Sequence, residues 1–302
     1  MILFKQMLIL FLMMILGYIM AKKGIVDKQA SKSMSWIIVN IANPALIISG
    51  SQGNSIGGNE LLIILALAFG MFFVLIAFAE FIIPLFKLQK ADEGIYKALL
   101  VFSNMGFMGF PIISALCGNR GLLYAAVFLL PFNILIYTYG IFGMSQQKIR
   151  LANKLKRLIN VGLVSGIISL ILAIGNISLP EIACQIIDML SNLTAPLSMM
   201  VIGASFMELS FKDLFYDMKM MILVVVKLVL IPLIGTFIIK LIVDNLLLQK
   251  VCFILLAVPS GSMVAMLAQQ YDSNYLTASK GVAITTLFSV ITMPVMFLIV
   301  GL

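Results

Sequence analysis

Long apolar stretches separated by short polar segments make up nearly the whole of this chain of 302 residues. A helix needs about 20 consecutive apolar residues to cross a bilayer. By that length the pattern predicts ten transmembrane helices and no separate soluble domain. These predicted helices 1 to 10 lie near residues 3 to 21, 33 to 52, 61 to 86, 96 to 118, 121 to 143, 158 to 176, 181 to 207, 217 to 243, 249 to 271 and 275 to 300.

Two of the predicted helices contain helix-breaking residues in the middle of an apolar segment. The segment ALLVFSNMGFMGFPIISALCG, residues 98 to 118, has such a set: Ser103, Asn104, Gly106, Gly109 and Pro111. The segment VCFILLAVPSGSMVAMLAQQY, residues 251 to 271, has another: Pro259, Ser260, Gly261 and Ser262. Lipid cannot satisfy freed backbone groups, so a helix broken at membrane depth must face protein or a polar cavity. We therefore predict helix breaks at Pro111 and Pro259.

The spacing of these features indicates an inverted repeat. Asn40 to Pro44 aligns with Asn192 to Pro196, and Asn104 aligns with Pro259, at offsets of 152 and 155 residues. Five helices on each side of a basic loop force the second set to enter from the opposite face. The predicted organisation is a first five-helix repeat at 1–143, a basic cytoplasmic linker at 144–157 and a second, inverted five-helix repeat at 158–302.

Composition narrows the class of protein. Apolar residues make up 62% of the chain and charged residues 11%, as in polytopic helical membrane proteins. The net charge of +8 lies in short loops, which argues against nucleic acid as a partner. The chain has no histidine, which excludes Ser-His and Cys-His catalysis and zinc sites of the HExxH type. The three cysteines lack metal-site spacing and are expected to pack in the core.

The loop charges predict the orientation in the membrane. Fourteen Lys and Arg residues fall on the side of the first loop, and three fall on the other side. The positive-inside rule then makes the first loop cytoplasmic, with both termini extracytoplasmic. The apolar N-terminus is followed by Lys22 and Lys23 and is expected to be a retained transmembrane helix rather than a signal peptide. We expect a multi-pass protein of the plasma or inner membrane.

Two oppositely directed helices broken at the midplane would expose the positive ends of their second halves, which favours an anionic ligand. The residues predicted to bind it are Ser103, Asn104, Gly106, Pro259, Ser260, Gly261, Ser262, Asn43 and Lys280. Each polar residue among them could instead satisfy the broken backbone or join helices, and Lys280 could extend to the interface. No metal, cofactor or catalytic residue is predicted.

Charges within apolar spans are costly and usually have a partner. Glu80 and Lys227 fall at similar predicted depths, and we expect them to form a structural ion pair. Independent extension of each side chain to the interface is the alternative.

The motifs SNMGFMGFP, AVPSGSMVAMLAQQY and ASKGVAITTLFSVITMP resemble the bacterial branch of the auxin efflux carrier family, which includes malate and malonate permeases. The resemblance covers the whole chain. It implies two inverted five-helix repeats, with predicted helices 1, 2, 6 and 7 as a scaffold and the others as a transport domain around crossing helices 4 and 9. Asn104 is followed here by Met105, which departs from the Asn-Pro-Asn type of signature in the plant members.

The combined prediction is an all-α membrane protein that transports a small organic anion such as a mono- or dicarboxylate, coupled to protons or as a uniporter. A sodium-coupled symporter and a channel or sensor-like protein stay open as alternatives. An enzyme is not expected. Dimers occur among the plant relatives, so a homodimer is a further hypothesis for this chain.

Overall fold

The computed structural model describes residues 2–144, 160–208, 217–271 and 273–302. These residues form helices joined by short turns and contain no strand. The α-helices are α1 Ile2–Lys22, α2 Lys28–Ile37, α3 Asn43–Ser49, α4 Gly58–Ile82, α5 Lys90–Val101, α6 Phe110–Leu135, α7 Ile141–Met144, α8 Val161–Ile174, α9 Glu181–Ser191, α10 Thr194–Ser205, α11 Met218–Val225, α12 Ile231–Ile242, α13 Leu246–Ala257, α14 Ser262–Gln270 and α15 Tyr275–Val300. Apart from Met144, the predicted linker lies outside the described residues.

Six helical segments of the described chain are long and apolar enough to cross a membrane. They are Lys5–Lys22, Gly58–Phe86, Met105–Met144, Glu181–Ser205, Met218–Ile242 and Tyr275–Val300. The 40-residue segment turns sharply at Gly118, where φ is 63°. Glycine tolerates this left-handed conformation because it has no Cβ. The prediction of a helical, multi-pass membrane protein is confirmed at this level.

Widened π-helical turns precede three of the prolines. Ile38–Ala42, Met105–Gly109 and Val226–Leu230 are π-helical, and an α-helix with proline at its second residue follows each of them. These prolines are Pro44, Pro111 and Pro232. Proline lacks an N–H and its ring collides with the carbonyl four residues earlier. The wider turn accommodates that collision, so the helix direction continues across each proline.

Pro111 therefore does not break the helix. The interruption comes earlier, between the end of α5 at Val101 and the π-helical turn that begins at Met105. Phe102 is extended, with ψ 106°, and Asn104 has φ −77° and ψ 67°. The Ser198 hydroxyl lies 3.0 Å from the carbonyl oxygen of Phe107, the acceptor that Pro111 leaves without an N–H, and it is also within hydrogen-bond distance of the Thr194 and Ala195 carbonyls.

Two glycines allow helices α1 and α10 to approach closely. A Cβ on Gly203 of α10 would lie 1.9 Å from the Met14 carbonyl oxygen of α1, and one on Gly17 would lie 2.1 Å from the Met200 carbonyl oxygen. Helices in lipid associate largely through such close packing, because lipid tails are as apolar as the side chains. The α1–α10 contact thus depends on two residues without side chains.

The predicted ion pair between Glu80 and Lys227 is wrong. Glu80 accepts hydrogen bonds from Lys97 Nζ and from the Tyr139 hydroxyl, both at 2.7 Å. Lys227 contacts α5 and the chain that follows it instead. The error arose because similar depth in the membrane does not specify which faces of two helices meet.

The Glu80–Lys97 pair predicts a specific mutational result. Glu80→Ala and Lys97→Ala should be non-additive by about 0.5 kcal/mol, the usual strength of a partly exposed ion pair. Glu80→Ala and Lys227→Ala should be additive, because the two side chains share no contact. Free energies of unfolding in mixed micelles for both double-mutant cycles would check this. Coupling in the second cycle and none in the first would contradict it.

Candidate functional site

The two interrupted helices meet each other at their breaks. Ser103 and Ser260 face one another in an antiparallel bridge, the single bridge in the described chain. The Asn104 N–H donates to the Pro259 carbonyl at 2.7 Å, and the Gly261 N–H donates to the Phe102 carbonyl at 2.8 Å. Each extended segment therefore satisfies backbone groups that the other leaves free inside the protein.

Side chains complete this crossing. The Ser260 hydroxyl donates to the Leu99 carbonyl at 2.7 Å, and the Ser260 N–H donates to the Thr285 hydroxyl at 3.2 Å. A Cβ on Gly261 would lie 3.0 Å from the Ser103 carbonyl oxygen, so the two backbones approach more closely here than a side chain normally permits. The crossing is a close-packed backbone contact, and Ser260 is fully buried in it.

The second halves of the two broken helices begin differently. Asn104 Oδ1 accepts the Phe107 N–H at 3.2 Å and so caps the segment that leads into α6. Helix α14 begins at Ser262, and no side chain caps it. The free N–H groups of a helix start carry partial positive charge. The start of α14 therefore retains the capacity to bind an anion.

A cavity of about 490 Å³ adjoins the start of α14. Its walls come from α2, α10, α14, α15 and the turns next to α2 and α10, with Phe107 from the turn before α6. The polar lining residues are Lys32, Ser35, Asn40, Ser205, Ser262, Gln269, Ser279 and Thr286, and the aromatic ones are Trp36, Phe107, Phe206 and Tyr275. Lys32 is the one charged residue of the lining, which gives the cavity a positive character.

Of the nine residues predicted to bind the anion, Ser262 lines this cavity. Ser103, Asn104, Pro259, Ser260 and Gly261 lie at the crossing behind it and are buried. Ser103, Asn104, Ser260 and Gly261 make their hydrogen bonds with other groups of the protein at the crossing.

Asn43 and Gly106 lie next to each other. A Cβ on Gly106 would be 3.0 Å from Asn43 Nδ2. Asn43 Oδ1 and Asn104 Nδ2 are buried and have no hydrogen-bond partner. Buried amide atoms need a hydrogen-bond partner, so Asn43 and Asn104 have an acceptor and a donor to offer between the first broken helix and α3.

Lys280 lies away from the crossing. Its Nζ is 3.6 Å from Asp217 Oδ2, in a partly exposed ion pair between α15 and the start of α11. A contact of this kind contributes little stability. The structure brings Lys280 to a carboxylate and does not bring it into the cavity lining.

Lys32, Trp36, Gln269 and Tyr275 are lining residues that the sequence reasoning missed. In the sequence, Lys32 contributes only to the positive charge of the first loop. A signal was present, since α2 reads KQASKSMSWI and is far more polar than the other predicted spans. That polarity separates one face of α2 from its apolar face, and the cavity lies on the polar one.

No cluster of three or more Cys, Asp or Glu side chains that could hold a metal ion occurs in the described ranges. The polar groups around the cavity are hydroxyls, amides and one ammonium. Such groups can bind and orient a polar or anionic solute by hydrogen bonds and charge.

Comparison with known proteins identifies a family of membrane transport proteins, which agrees with a cavity that binds a solute. The family model described as membrane transport protein matches residues 2–297, and the chain belongs to that family. This confirms the resemblance at the level of the auxin efflux carrier family. The chain is also 26% identical over 300 residues to an uncharacterized transporter of Methanocaldococcus jannaschii, covering 94% of each protein.

Proposed function

We propose that the protein is a secondary transporter of small organic anions, such as mono- or dicarboxylates. The observation that carries this proposal is the meeting of two broken helices at Ser103 and Ser260 beside a cavity that contains Lys32 and the uncapped start of α14. Discontinuous helices of this kind form the substrate sites of many secondary transporters. The cavity supplies positive charge and no carboxylate, which favours an anion.

The proposed architecture has ten membrane spans in two inverted repeats, 1–143 and 158–302, joined by the basic linker at 144–157. Both termini would be extracytoplasmic, in the plasma or inner membrane. Lys32, Gln269 and Tyr275 would then lie toward the cytoplasmic ends of their helices, so the cavity would be open to the cytoplasm. Displacement of the broken helices against α1 and α10 would reopen it on the other side.

Uptake of labelled malate, malonate and indole acetate into proteoliposomes tests the function. We expect saturable uptake of at least one of these anions. Uptake measured with imposed proton and sodium gradients separates proton coupling, sodium coupling and uniport. Absence of flux of any of them from folded protein, or flux that does not saturate, would contradict a carrier, and the latter result would favour a channel.

Lys32→Met tests the position of the site. Loss of a charge-assisted contact of about 1.5 kcal/mol should raise the KM for the transported anion about tenfold. Lys23→Met is the matched control, because Lys23 is exposed and does not line the cavity. An unchanged KM for Lys32→Met, or equal changes in both variants, would place the anion elsewhere.

A further inference from the structure

The side-chain amine of Lys227 is buried in the middle of a membrane span. It lies in the π-helical turn Val226–Leu230, within the span Met218–Ile242, and its side chain is fully buried. No described carboxylate forms an ion pair with it. Burying a charge at this depth in the membrane is costly, and ionisable residues found there usually belong to the functional site of a membrane protein.

The acceptors of Lys227 come from the first helix break. Its Nζ donates to the Leu100 carbonyl at 2.8 Å and to the Ser103 hydroxyl at 2.7 Å. Leu100 is in the last turn of α5, where the carbonyls have no partner within the helix and carry partial negative charge. The ammonium group therefore sits at the negative end of a half-helix, next to the crossing.

These acceptors are of the type that binds free cations in other transporters. The C-terminal ends of half-helices and unwound carbonyls coordinate coupling ions in secondary transporters. The neighbouring carbonyls already accept hydrogen bonds from the second broken helix. The Leu99 carbonyl accepts from the Ser260 hydroxyl, and the Phe102 carbonyl accepts from the Gly261 N–H. The two extended segments, residues 102–104 and 258–261, contain no Asp or Glu that could compensate a second cation.

We propose that Lys227 is a tethered cation that takes the position of a coupling ion at the crossing, so that the protein transports its anion without sodium. This inference rests on the proposed transport function. Because the cation is covalently attached to the turn between α11 and α12, it is present in every transport cycle and ties that turn to the end of α5 and to Ser103 at the crossing. Removing it should leave an acceptor site that a small free cation can fill.

The test uses purified wild-type protein, Lys227→Ala and a control, each in sodium, ammonium or choline chloride. Lys240→Ala is the matched control, because Lys240 also donates to helix-end carbonyls, those of Val300 and Gly301, but at the surface, where water can replace it. Melting temperature is read in detergent for all three proteins, and anion uptake is read in proteoliposomes. The melting readout needs no substrate.

We expect the wild type and Lys240→Ala to behave alike in the three salts. Lys227→Ala should melt lower in choline and gain about 3 °C or more, in a concentration-dependent manner, in ammonium or sodium, since a ligand bound only by the folded state stabilises it. Its uptake should fall at least tenfold in choline and recover in part in the same salts.

Sodium-dependent uptake or melting of the wild type would overturn the inference. So would a Lys227→Ala protein that gains nothing from ammonium or sodium over choline, including one that cannot be purified in any of the three salts. A wild type that takes up no anion, while Lys227→Ala still melts higher in ammonium, would contradict the proposed function and leave the cation site supported. The two failures are thus distinguishable.

Discussion

Gly203→Ala is expected to lower the melting temperature of the detergent-solubilised protein by about 5 °C. The new methyl group overpacks the contact between α1 and α10, which costs about 2 kcal/mol of stability. The added Cβ would lie 1.9 Å from the Met14 carbonyl oxygen. That oxygen belongs to a helix backbone, so the whole of α1 must move by more than 1 Å to restore a normal separation.

Gly70→Ala provides the control for Gly203→Ala. Gly70 is also inside a helix, α4, but nothing lies within 4 Å of where its Cβ would be. Alanine is a better helix former than glycine, so this variant should melt at the wild-type temperature or slightly above it. Equal melting temperatures for the two variants would show that α1 and α10 do not pack as closely as described.

Gly261→Val is expected to reduce anion uptake at least tenfold while the protein remains folded. Its Cβ would lie 3.0 Å from the Ser103 carbonyl oxygen and 3.3 Å from the Phe102 carbonyl oxygen, and valine adds two further methyl groups there. The two broken helices would separate, which weakens the Gly261–Phe102 and Asn104–Pro259 hydrogen bonds. Uptake in proteoliposomes and elution in size-exclusion chromatography measure the two effects.

Gly57→Val is the control at the same backbone conformation. Gly57 has φ −75° and ψ 152°, close to the φ −72° and ψ 134° of Gly261, and its Cβ would meet nothing within 4 Å. Both substitutions therefore carry the same intrinsic backbone cost, and only one disturbs the crossing. Wild-type uptake by Gly261→Val would show that the crossing is not part of the transport mechanism.

The helix breaks were predictable because their cause is local. Pro259, Ser260 and Gly261 together disfavour a continuous helix, and the cluster around Ser103 and Asn104 has the same effect in the earlier segment. The position of the first helix break was predicted less accurately. Pro111 is the strongest helix breaker of its segment, yet the π-helical turn before it removes its clash, and the break falls at Phe102 to Asn104.

The partners of the buried charges were not predictable in the same way. The sequence places Glu80 and Lys227 at similar depths in the membrane. It does not fix the rotation of each helix about its own axis, which decides the neighbours that a side chain faces. That rotation directs Glu80 to Lys97 and Tyr139, and it directs Lys227 to Leu100 and Ser103. The cavity lining depended on the same unknown, since Lys32 and Gln269 line one cavity only when the helices that form its walls are all in place.

The sequence by itself determined that this is a helical membrane protein with two interrupted helices, because apolar length and helix-breaking residues act locally and need no partner. Only the tertiary structure decided that Ser103 and Ser260 meet, that Lys227 lies at the end of α5, and that Lys32 faces a cavity beside Ser262. These contacts join residues far apart in the chain, and their geometry is set by the rotation and close packing of whole helices.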